Sequence, residues 1–148
     1  METLKIKRNK EDFYRLQIND TEDYIEFDLT DIGLPERIMI ASDNILKLDK
    51  EYSIQKQKIE EENKNDEINL LRESIKLEKE KCFEMRKEFD GFLGEGACQK
   101  IFGDTNYYGM FLQLFDALEP HFKKMEINLK KGKENLAKKY IDKGKDVL

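Results

Sequence analysis

The chain is 148 residues long, with 40% charged and 39% hydrophobic residues, no Trp and a formal net charge of −5. That length leaves room for one domain, and apolar residues this numerous and this periodic exclude a fully disordered chain. So high a charge fraction argues for an elongated helical protein over a compact one, because helices with narrow apolar stripes carry charge on their remaining faces.

Residues 1–34 read as a small β element. Thr3 to Lys7, Tyr14 to Asn19 and Tyr24 to Leu29 alternate with period two, and Asn19-Asp20-Thr21-Glu22-Asp23 supplies turn chemistry between the last two runs. The pattern predicts an antiparallel hairpin or a three-stranded meander. Such an element is marginal alone, so its apolar face must pack on a helix or on another subunit.

Residues 35–90 read as long charged helices. Pro35 suits a first helical turn, with Asp31 or Leu34 near the cap. Ile38, Ala41, Ile45, Leu48, Tyr52 and Ile59 form one near-heptad stripe, and Ile68, Leu71, Ile75, Cys82, Met85 and Phe89 form a second. The two are out of phase, since continuing the first would place Glu62 and Asp66 on the apolar face. The pattern fits an antiparallel hairpin reversing near Asn63 to Asp66, in which the stripes bury each other. One long helix with a shifted stripe is the alternative, and the same stripes are able to pair between chains as a coiled coil.

Residues 91–148 read as a glycine joint followed by a compact helical head. Gly91, Gly94 and Gly96 are expected to turn the chain off the rod, with Phe92, Ile101 and Phe102 seating it and Gly103 ending a short helix from Glu95 to Phe102. The densest apolar run follows, from Tyr107 to Leu118, and Pro120 is expected to break it. A last helix carries Phe122, Met125, Leu129, Leu136 and Tyr140. From Phe122 to Leu148 nine lysines face Glu126, Glu134, Asp142 and Asp146. They alternate with the apolar stripe and read as a solvated helix face, so nucleic acid is not an expected partner.

Catalytic chemistry finds little support. His121 is the sole histidine and reads as a surface or capping residue, while Cys82 and Cys98 form no CxxC pair and read as buried structural thiols in a reducing cytoplasm. Gly91 to Gly96 matches neither GxGxxG nor GxxxxGK[ST], and Glu95 would repel a phosphate. The carboxylates of Glu60 to Glu62, Glu78 and Glu80 are interleaved with lysines at helical spacing. No enzyme, cofactor or metal is expected. No apolar run approaches the length that spans a bilayer, and no signal peptide is visible, so neither is a membrane. Protein partners remain, with Tyr107, Tyr108, Phe111, Leu112 and Phe115 as candidate contacts.

Phe27-Asp28-Leu29-Thr30-Asp31 after a short β segment, and Asp90 to Gly103 as a D–FG-G–(I/L)FG element, resemble short proteins of phages and prophages of low-GC Gram-positive bacteria. Leu93, between Phe92 and Gly94, departs from that pattern. The resemblance implies a tail assembly chaperone in the host cytoplasm, which binds the tape-measure protein and keeps its hydrophobic helices soluble during tail morphogenesis. A tail, neck or connector subunit of the virion, or a host-directed inhibitor using acidic helices, are the competing expectations.

Overall fold

The computed structural model describes residues 1–126. It is mainly helical, with a small antiparallel β element at the N-terminus and a long helical hairpin, as the patterning predicts. Strands β1 (Phe13–Gln17) and β2 (Tyr24–Asp28) pair with Tyr14 opposite Phe27 and Leu16 opposite Ile25. One face turns Ile25 and Phe27 into the core. The other is solvated, where Arg15 pairs with Glu26 at 2.7 Å. Asn19 takes the left-handed conformation that the tight turn requires (φ 50°), and the Thr21 hydroxyl donates to the Ile18 carbonyl at 2.7 Å.

The first alternating run does not form a strand. Thr3 to Lys7 pairs with no strand among the described residues, and Leu4 and Ile6 are exposed. Alternation favours a strand only where a partner edge and a covering layer exist, and β2 is followed at once by a turn into the rod. Arg8 is where the segment is tied down, through its guanidinium to the Asp28 carboxylate.

Helix α1 (Leu34–Glu62) and helix α2 (Glu67–Leu93) make the hairpin, each about 40 Å long at 1.5 Å per residue. Gly33 is the N-cap of α1, with Leu34 the first helical residue, and the Asp31 carboxylate accepts from the Gly33 amide at 2.9 Å. The reversal falls at Asn63 to Asp66. Asn63 accepts from the Asn69 side chain at 2.5 Å, and the Asp66 carboxylate caps α2 by accepting from the Asn69 amide at 3.0 Å.

Helix α3 (Ala97–Phe102) turns back onto the base of the rod, and α4 (108–126) then packs along it. The helix α4 runs through Pro120 without a break. Proline removes the bond to the carbonyl four residues back, here Asp116. Both residues are exposed, so water can satisfy that carbonyl, while buried Leu118 and Met125 hold the helix on either side. The Lys-rich stretch from Ile127 onward, including Leu129, Leu136 and Tyr140, lies outside the described residues.

The core sits at the base, where β2, α2 and α4 meet. Phe27, Phe89, Phe92, Phe111 and Phe122 form a continuous aromatic network with centroid separations between 5.8 and 6.5 Å. Edge and tilted contacts dominate it, as the ring quadrupole favours. Beyond Tyr52 and Glu78, the rod projects as two helices alone among the described residues.

Candidate protein interface

The glycine segment resolves into two separate roles. Gly91 lies within α2, which continues to Leu93, so the rod is longer than the expected limit at residue 90. The turn itself uses Gly94 (φ 116°) and Gly96 (φ 77°), backbone conformations that side chains rarely adopt. Two residues of α2 clasp this joint. The Asp90 carboxylate accepts from the Cys98 amide at 2.9 Å. The Arg86 guanidinium donates to the Gly103 and Thr105 carbonyls at 2.9 and 2.7 Å, and to the Asn106 side chain at 2.9 Å. Phe92 is buried, with Ile101 and Phe102 half-buried against the same core. Gly103 ends α3 with φ 61°. Asp90 opens the D–FG-G element one turn before Gly94, whereas nothing in the sequence singles out Arg86, two turns before it.

The aromatic run is spent largely on the core. Tyr108 and Phe111 are buried, Phe115 is half-buried, and Tyr107 and Leu112 are exposed. Tyr108 stacks on Tyr52 at 3.8 Å and its hydroxyl donates to Asp49 at 2.7 Å. Burial and that bond push its pKa up. Its amide donates to Glu78 at 3.1 Å, which registers the start of α4 on the rod. His121 meets the Tyr14 hydroxyl through Nδ1 at 2.8 Å, tying α4 to the hairpin of strands.

Both cysteines are free and buried. Burial pushes the Cys82 thiol up to about 11 and the Cys98 thiol up to about 12. That is the wrong direction for a nucleophile, which needs the thiolate. No cluster of His, Cys, Asp and Glu able to hold a metal occurs among the described residues, and no helix among them is long and apolar enough to cross a membrane.

The surface that stands out is on the distal half of α2. Ile68, Leu71 and Ile75, expected to bury against the first stripe, are 73%, 63% and 47% exposed. The seam facing α1 there is instead Leu70, Ser74, Leu77 and Lys81, the last buried between Glu51 and Glu84 at 3.2 Å from each. The second stripe is real, but it belongs to the face that α4 covers. At the base that face buries Cys82, Met85 and Phe89 under Tyr108 and Phe111. Above Glu78 nothing in the described residues covers it. On the opposite side of the hairpin, an open groove of about 320 Å³ is lined chiefly by charged residues, including Lys58, Glu62, Glu73, Lys76 and Glu80. Glu60 to Glu62 are exposed near the tip.

No protein-family model matches the chain, and neither a curated protein nor a solved structure shows significant similarity to it.

Proposed function

We propose that this chain is a non-catalytic helical binding protein, acting as a tail assembly chaperone that holds helices of a tape-measure protein in the cytoplasm of a bacterial host. One observation carries the reading: three aliphatic residues, Ile68, Leu71 and Ile75, line up in solvent on the α2 face that α4 covers nearer the base. Its neighbours Arg72 and Lys79 keep such a surface soluble until a partner covers it. Binding another helix against helices uses the packing the chain already employs for α4. The phage resemblance of Phe27 to Asp31 and of Asp90 to Gly103 supplies the nature of the partner.

Co-expression with a tape-measure protein is the test. A chaperone keeps that protein in the soluble fraction, co-purifies with it and is absent from purified particles by mass spectrometry. Recovery within particles would assign the chain to the virion instead. No gain in solubility and no co-purification would remove the chaperone reading.

A further inference from the structure

We propose that the distal face of the hairpin seats one amphipathic helix of a partner, acidic along its flanks and lying end to end with α4 in the same groove. This rests on the helix-binding reading above and specifies where, and by what chemistry, the partner is held.

Continuity with an interface already formed is the first argument. The α2 face under α4 is defined by the Tyr108 amide on Glu78, Phe111 on Phe89 at 6.0 Å, and Phe122 on Phe92 at 5.8 Å. One heptad above Glu78 and Cys82 are Leu71 and Ile75, with Ile68 a further heptad above Ile75. On α1, Tyr52 stacks beneath Tyr108. The track that accepts α4 therefore continues towards the tip with apolar residues of α2. Arg86 fixes the chain before α4 at Gly103 and Thr105, so α4 itself starts no higher than Tyr108.

Charge selects the occupant. Arg86, Lys79 and Arg72 recur at seven-residue spacing along one flank of this face. Arg86 is committed to backbone carbonyls, whereas Lys79 and Arg72 are exposed and make no ion pair among the described residues. Across the groove, Lys56 lies over the Tyr52 ring at 5.9 Å. Glu60 and Glu67 are confined to the tip end, and Glu78 is already bonded to Tyr108. A helix with carboxylates beside its apolar seam meets cations on both rims. A second copy packed tip to tip would set Arg72 and Lys79 against their own counterparts, and a parallel copy would collide with α4.

The probe is a designed helical peptide of about eighteen residues, long enough to hold a helix, with Leu at the seam and Glu at the flanks. Its counterpart has Lys at the flanks, and binding is read by fluorescence anisotropy. The Glu peptide is expected to bind at least about tenfold more tightly, with an advantage that shrinks as salt rises. Leu71→Gln/Ile75→Gln is expected to weaken it by about tenfold or more, and Arg72→Glu/Lys79→Glu to reverse the preference, both with an unchanged circular-dichroism melt. Equal affinity for both peptides, binding of neither, or binding indifferent to Leu71→Gln/Ile75→Gln overturns the proposal. A concentration-dependent dimer dissolved by Leu71→Gln/Ile75→Gln assigns the face to a second copy and overturns it too. If a tape-measure protein co-purifies equally with wild type and with that double variant, the helix-binding reading stands and this site falls. If neither protein nor peptide binds, both fall.

Discussion

The two halves of α2 carry the same heptad stripe and end in opposite states. From Cys82 to Phe89 the stripe is fully buried, whereas from Ile68 to Ile75 it is mostly solvent-exposed. The backbone, the spacing and the apolar chemistry are alike. What differs is α4, which reaches the first half and stops at Tyr108 below the second. A stripe marks a face that is suited to burial, and a neighbour decides whether it is buried. The base of the rod is a protein core. Its tip is the same kind of surface, left open among the described residues.

The sharpest way to test that contrast is to attack the base. Phe111 is fully buried and contacts Phe89 and Phe102. Phe111→Ala is expected to cost about 3–5 kcal/mol, read as a large drop in the denaturant midpoint. Phe111→Asp, which buries a charge, is expected to abolish the cooperative melt.

The joint comes next. A Cβ at Gly96 would meet nothing within 4 Å, so the penalty of Gly96→Ala is purely the positive φ of 77°, about 1–2 kcal/mol. Gly91 lies inside α2 and also has open space around it. There Gly91→Ala is expected to stabilise by up to about 1 kcal/mol, the opposite sign in the same thermal melt.

A smaller effect is expected at the N-terminal clasp. The Thr30 hydroxyl and then the Arg8 guanidinium hold the Asp28 carboxyl down at about 2. A depressed carboxylate pKa stabilises the fold above the unfolded value, and this stabilisation fades as the pH falls towards 2. The Tm difference between wild type and Asp28→Asn should therefore be small at pH 7, given the exposure of the pair, and be lost as the pH falls through and below about 2.

The hairpin and its reversal were legible because polar Glu62 and Asp66 interrupt a periodic stripe, and because Asn63 to Asp66 offers capping chemistry. The buried thiols and the short helix ended by Gly103 were legible for similar local reasons. The partner of each stripe was not. Periodicity fixes which residues share a face, and it is silent on whether that face meets α1 or α4, so Ile68, Leu71 and Ile75 looked like hairpin seam. Lys81, a charged residue at the true seam, is hidden by the same blindness, since its burial depends on Glu51 thirty residues away. Pro120 misled because its cost depends on the exposure of Asp116, a tertiary property. Arg86 looks like an ordinary charge on a helix until the glycine turn folds back over it.

The smallest predicted change in stability is also the most decisive one. Leu71→Gln/Ile75→Gln replaces exposed aliphatics with good helix formers, so the melt should move by no more than about 1 kcal/mol in stability. Measuring that melt beside the co-purification of a tape-measure protein tests the account most directly: the double variant should melt with the wild type and lose the partner. A melt that collapses towards that of Phe111→Ala, or a partner retained in full, would contradict it.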